Sequence, residues 1–206
     1  VDKQKRANYV RKELAKLYPE PKPPLNHKDA FTLLVAVALS AQTTDLMVNR
    51  VTPELFKVGG SPEKMAKLSS DEILRFIKPT NYSPTKSKNL KKMAEILVSK
   101  FKGKVPQTFE DLESLPGVGH KTASVVMSQI FGIPAFPVDT HIHRLAMRWK
   151  LSNGKSIVRT EEDLKSLFPD SSWHDVHLQM IFYGREYCTA RGCDGKTCPI
   201  CKKLDT

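Results

Sequence analysis

The most constraining stretch of the chain is Leu115-Pro116-Gly117-Val118-Gly119-His120-Lys121-Thr122-Ala123. It permits little except a tight turn between two helices. Glu110 to Ser114 reads as the end of one helix and Lys121 to Phe131 as the start of the next. Glycine takes positive φ without steric cost, so Pro116 to Gly119 is expected to form a hairpin. Its small residues leave backbone N–H groups bare. Together with the N-terminus of the following helix, they make a site suited to a phosphate. Ala123, Val125, Val126 and Ile130 are placed to bury one side of that helix.

Lys121 falls in the first helical turn, at the positive end of the helix dipole, which is a poor place for a cation. A neighbouring field or burial there favours the neutral amine. A neutral lysine is a nucleophile that forms Schiff bases with aldehydes. A surface lysine that only contacts phosphate is the other reading, and the hairpin alone does not choose. Further along lies Pro137-Val138-Asp139-Thr140-His141. Asp139 precedes a helical stretch, Thr140 to Trp149, and reads as its N-cap. A carboxylate held there can also deprotonate an amine, or stabilise positive charge developing on a sugar ring.

These segments resemble the helix-hairpin-helix DNA glycosylases, which carry L-P-G-V-G-x-K-T-A followed by V-D-T-H-x-x-R. The chain has both, down to Arg144, and Ser40-Ala41-Gln42-Thr43-Thr44-Asp45 is similar to the S-A-Q-x-T-D segment of the endonuclease III branch. The resemblance runs from about Arg11 to Cys201. It implies an all-α fold with two helical domains flanking a DNA-binding cleft. Residues 23–134 would form a six-helix domain ending in the hairpin. Residues 1–22 and 135–206 would form the other, with Lys121 on one wall of the cleft and Asp139 on the opposite one.

The resemblance also implies an activity. A base excision repair glycosylase of this branch removes oxidised pyrimidines from duplex DNA through a lysine Schiff base and nicks the strand by β-elimination. Lys121 and Asp139 would be the catalytic pair. Gly117, Val118, Gly119 and His120 would contact the DNA backbone, and His141 would follow Asp139 into the cleft. Gln42 would fill the gap opposite an extruded base. The family's second wedge is an apolar residue in a segment like G-L-Y-N-x-K-A. Here Thr80-Asn81-Tyr82-Ser83-Pro84-Thr85-Lys86 is the match, with Asn81 where Leu or Phe is expected and Tyr82 able to intercalate instead. Lys86, Lys88, Lys91 and Lys92 form a basic cluster for duplex contact or a solvated face. The alternatives are a monofunctional mismatch or damage glycosylase, or a non-catalytic helix-hairpin-helix DNA-binding protein. A binding module needs the glycines but neither Lys121 nor Asp139.

The charge balance agrees. The 206 residues hold 33 Lys and Arg against 22 Asp and Glu, a net charge of +11. That excess predicts a polyanionic partner and salt-sensitive binding. With no signal-peptide h-region and no apolar run long enough to span a bilayer, the expectation is an intracellular protein; a monomer is expected as well. Helical periodicity recurs at Gln4 to Tyr18, Ala30 to Ser40, Asp45 to Val58, Ser70 to Ile77, Pro84 to Phe101, Glu161 to Phe168 and Trp173 to Tyr187.

All four cysteines, Cys188, Cys193, Cys198 and Cys201, lie near the C-terminus, spaced C-x4-C-x4-C-x2-C. Four close thiols in an intracellular protein suggest a metal or cluster rather than disulfides. The family's usual 4Fe-4S spacing is C-x6-C-x2-C-x5-C, so the chain departs from it. A Cys₄ set suits a 4Fe-4S cluster, with zinc as the alternative. The cluster would hold a basic loop with Arg191, Lys196, Lys202 and Lys203 against the DNA backbone.

Overall fold

The structure, a computed structural model, describes residues 2–204. Among the described residues every regular element is helical: α1 (Lys3–Leu17), α2 (Ala30–Ser40), α3 (Asp45–Gly59), α4 (Pro62–Lys67), α5 (Ser70–Ile77), α6 (Ser83–Phe101), α7 (Phe109–Glu113), α8 (His120–Phe131), α9 (Thr140–Arg148), α10 (Ile157–Leu167), α11 (Trp173–Glu186) and α12 (Pro199–Leu204), with a short 3-10 turn at Asp170–Ser172. The chain divides into two compact units: Pro23–Gly132, and a discontinuous one that joins the residues up to Lys22 to those from Ile133 onward.

In the Pro23–Gly132 unit, α2 is apolar nearly all round and correspondingly buried, with Leu33, Leu34, Val35, Ala36 and Leu39 fully enclosed. Each of the leucines and Val35 contributes about 1.5–3 kcal/mol on burial. Asp29 opens α2 through a capping box with Thr32. Ser69 opens α5 in the same way with Glu72. Around α2 lie α3, α6 and α8, while α4 and α5 pack on α6. The six-residue α4 was not expected from the sequence. It is started by the Ser61 cap and by Pro62, whose missing N–H costs nothing in a first turn.

In the discontinuous unit, the apolar stripe Ala7, Val10 and Leu14 of α1 joins Ile142, Leu145 and Ala146 of α9, Trp149, and Val176, Met180 and Tyr183 of α11 in one core. This stripe explains why the N-terminal helix belongs with the C-terminal segment. The buried Arg6 guanidinium strengthens the junction by donating to the Leu204 carbonyl at 2.9 Å. Helix α10 begins at Ile157, ahead of the expected Glu161, because Ser156 caps it by accepting from the Arg159 amide. Ile157 and Val158 are exposed, which hides that first turn from a periodicity argument.

Candidate active site

The hairpin forms as its glycines require. Gly117 sits at φ +79°, where an added Cβ would meet the Asn89 side chain at 3.2 Å. Val118 turns inward and is buried, and its amide donates to the Leu115 carbonyl at 3.1 Å. Gly119 is the N-cap of α8 at φ −97°, with open space where a Cβ would stand. His120 leans away, with Nδ1 2.7 Å from Glu113 Oε1 and its ring stacked on Phe109. Lys121 is exposed in the first turn of α8. Ala123, Val125 and Val126 line the buried side of the helix as expected, while Ile130 is only half-buried. The element before the hairpin is short, the five-residue α7.

A second constellation in the same unit involves the ends of α2 and α6. Gln42 and Tyr82 both adopt the left-handed conformation, at φ 53° and 57°, rare for residues with a side chain. Both are exposed, Tyr82 by 61%. Asn81 does not project as an apolar wedge would. Its side-chain amide donates to the Gln42 carbonyl at 2.5 Å and its backbone N–H to Thr43 Oγ1 at 3.2 Å. The basic cluster expected on α6 is also corrected. Lys86 is buried, and its amine donates to Leu39 O, Ala41 O and Thr43 Oγ1 at 2.7, 2.7 and 3.0 Å. Lys91 donates to the Ala66 carbonyl and pairs with Glu95 at 3.0 Å. Lys88 and Lys92 remain exposed.

In the discontinuous unit, Asp139 caps α9: its Oδ1 accepts from the Ile142 amide at 2.8 Å. The cap uses one carboxylate oxygen of a half-buried side chain. One turn on, burial pushes the His141 imidazole below its ordinary pKa; Asp139 opposes this, and Arg144 and Arg185 reinforce it. Arg144 spans α9 and the end of α11, donating to Gly184 O at 2.9 Å and Cys188 O at 3.0 Å, with His141 Nδ1 at 3.2 Å. The arginine of V-D-T-H-x-x-R thus fixes the helix that Asp139 caps.

The four cysteine Sγ atoms lie within 4.8 Å of one another. Cys188, Cys198 and Cys201 are buried and belong to the core of the unit. Tyr183 Oη lies 3.0 Å from Cys198 Sγ and also accepts from the Ile200 amide. Arg148, which sequence reasoning passed over, donates to Cys188 Sγ at 3.2 Å, Thr189 O at 2.7 Å and Ala190 O at 3.1 Å. A cation one turn beyond Arg144 was the available signal. A four-thiol set with three members buried and an arginine on one sulfur suits a soft metal centre bound by thiolates. Lys196 and Arg191 are exposed on this loop, and Lys202 and Lys203 are exposed on α12 that follows it.

Hairpin, capped aspartate and cysteine loop together define a DNA repair protein of the helix-hairpin-helix class. The chain belongs to the HhH-GPD superfamily of base excision DNA repair proteins, whose family model matches residues 35–170. Within that class it is similar to Endonuclease III of Rickettsia felis, 40% identical over 94% of this chain and 91% of the relative. Bacillus subtilis Endonuclease III is 36% identical over 95% and 90%. A solved non-covalent Endonuclease III–DNA complex superposes with a TM-score of 0.92 at 37% identity, covering 97% of this chain and 94% of that one. A trapped Endonuclease III–DNA covalent intermediate, the estranged-adenine complex, does so at 0.90 with 36% identity and full coverage of both chains.

Proposed function

We propose that the chain is a bifunctional DNA glycosylase and AP lyase that removes oxidised pyrimidines from duplex DNA, with Lys121 as nucleophile and Asp139 as its acidic partner. The observation that carries the reading is an exposed lysine in the first turn of a helix directly after a glycine hairpin, in a chain whose relatives include a protein trapped covalently on DNA. The neutral Lys121 amine attacks C1′ of the extruded nucleotide as the bond to the base breaks. Asp139 takes up the amine's proton or stabilises the positive charge developing on the sugar. Ring opening gives a Schiff base between Nζ and C1′. The iminium acidifies the C2′ proton; its removal drives β-elimination, breaking the C3′–O bond and nicking the strand on the 3′ side of the lesion. Water then releases the lysine.

Gly117, Gly119 and His120 offer backbone N–H groups to a phosphate beside the lesion, and Val118, whose own amide is held by the Leu115 carbonyl, anchors the hairpin beneath them, with His141 and Lys196 as further DNA contacts. Gln42 fills the gap opposite the extruded base. Tyr82 takes the wedge role rather than Asn81. Aligned on Lys86, the lysine of G-L-Y-N-x-K-A, the leucine position falls on Tyr82, and Tyr82 is the exposed side chain. A stacked aromatic ring serves that position because every base presents a π-face.

Cys188, Cys193, Cys198 and Cys201 hold a 4Fe-4S cluster, whose chemistry here is structural. A single zinc is the second reading, favoured by one observation. The thiols lie within 4.8 Å, near the ~3.8 Å edge of a tetrahedron with Zn–S bonds of about 2.3 Å. Iron and zinc analysis of the purified protein decides between them.

The deciding experiment for the activity is borohydride trapping on a duplex with one abasic site, comparing wild type with Lys121→Ala. A covalent complex lost in the variant, with DNA binding retained, supports the mechanism. An untrapped but DNA-binding wild type overturns it in favour of a monofunctional or non-catalytic protein.

A further inference from the structure

Lys86 combines features that a solvent-facing lysine on a charged helix does not have. It is only 8% exposed, and its ammonium directs its donors at three acceptors where α2 ends: Leu39 O, Ala41 O and Thr43 Oγ1. An ammonium has three N–H donors, so this set uses all of them. Leu39 and Ala41 carry carbonyls that a helix end leaves without intrahelical partners, and a cation there also meets the negative end of the dipole. Lysine is rarely this buried unless paired. Burial lowers its pKa, opposing the charge that the three acceptors hold.

What the amine grips is the loop that carries Gln42 in its left-handed conformation. The same residue reaches the other loop through its backbone, where the Lys86 N–H donates to Tyr82 O at 3.0 Å in the first turn of α6. Asn81 adds the cross-tie to Gln42 O and Thr43 Oγ1. The Lys86 amine therefore ties the loop of exposed Gln42 to the first turn of α6, the helix that exposed Tyr82 opens from its own left-handed conformation.

We propose that Lys86 is a positioning residue that holds Gln42 and Tyr82 as one preorganised unit, so that both enter the gap left by an extruded nucleotide without first being ordered. The proposal rests on the glycosylase–lyase reading above. It assigns Lys86 no contact with DNA and no part in the chemistry.

The test compares two abasic substrates, one in a duplex and one in a single strand, which leaves no opposite-strand gap to fill. Lys86→Met removes the donors and keeps the side-chain bulk. Nicking of the duplex is expected to fall on the order of 100-fold, the scale of an ~1 Å misplacement, with single-strand nicking unchanged. A 2-aminopurine placed beside the abasic site in the duplex should lose its fluorescence rise on binding. Unchanged duplex nicking overturns the proposal. Equal loss on both substrates overturns it too, since that is what general damage to the fold would do. If Lys86→Met does not fold, Thr43→Val decides by the same comparison. It removes the hydroxyl shared by Lys86 and Asn81, together with that hydroxyl's long bond to Ala41 O at 3.5 Å, and keeps the side-chain shape; selective duplex loss supports the proposal and any other pattern overturns it. A wild type that nicks neither substrate overturns the lyase reading, and this inference falls with it.

Discussion

At the scale of the residue, Asp139 caps a helix with the carboxylate proposed above for the chemistry, and substitutions can separate the two roles. Its Oδ1 caps α9. Asparagine caps a helix about as well as aspartate, whereas alanine loses about 1 kcal/mol there. Asp139→Asn is therefore expected to melt like wild type while losing on the order of 100-fold or more in turnover, the range for a positioned acid or base. Asp139→Ala should lose the activity and also about 1 kcal/mol of stability. An Asn variant with wild-type turnover would reduce Asp139 to a cap. His141 makes a pH-dependent prediction. Its folded pKa lies below the ordinary 6.5, with burial as the leading cause. The unfolded chain therefore binds a proton more readily than the folded one. Its contribution to stability is complete above that ordinary value and is lost as the pH falls through the folded one. Thermal melts of wild type and His141→Gln should separate least at the acidic end; a gap that widens on acidification would contradict this.

At the scale of the element, the hairpin holds two glycines that the fold needs for different reasons. Gly117 has φ +79°, and a Cβ there would press on the Asn89 side chain at 3.2 Å. The left-handed region alone costs a non-glycine residue about 1–2 kcal/mol, so Gly117→Ala should lower the melting temperature. Gly119 has an ordinary φ and open space around it. Gly119→Ala should therefore lose only the modest preference of a helix N-cap for glycine over alanine, less than Gly117→Ala, while weakening DNA binding, because its methyl group would stand at the proposed phosphate contact. Equal melting temperatures for the two variants would show that the hairpin does not discriminate them. The hairpin was legible in the sequence because its constraint is local. So were the long helices, whose apolar faces repeat within a few residues. Lys86 was not. It sits among Lys88, Lys91 and Lys92, and only its tertiary partners, up to 47 residues earlier in the chain, distinguish it. Arg148 was missed for the same reason, since its acceptors lie on the cysteine loop some 40 residues on. The short α12 follows that loop and has too few residues to show a period.

At the scale of the whole molecule, two physical features are independent of which base is excised. One is the cysteine centre. Three of its thiols lie in the core that also holds α1, so its loss should open the segment after Cys188 and release the Arg6–Leu204 bond. Chelation or oxidation is expected to lower the melting temperature and expose residues 188–204 to protease, while the Pro23–Gly132 helices stay protected. The other is the net charge of +11. Binding that neutralises phosphates releases counterions, so the logarithm of affinity falls linearly with that of salt, by about 0.9 for each phosphate engaged. A footprint of about five phosphates therefore loses about 500-fold in affinity between 50 and 200 mM salt. Titration of an undamaged duplex across that range measures the count. Lys121→Ala should change the slope by no more than about one phosphate's share, because that lysine is assigned to the sugar and the backbone contacts are spread over many groups. A slope that collapses in this variant would move Lys121 from nucleophile to principal phosphate contact. A slope near zero in the wild type would mean that the excess of lysine and arginine serves something other than DNA.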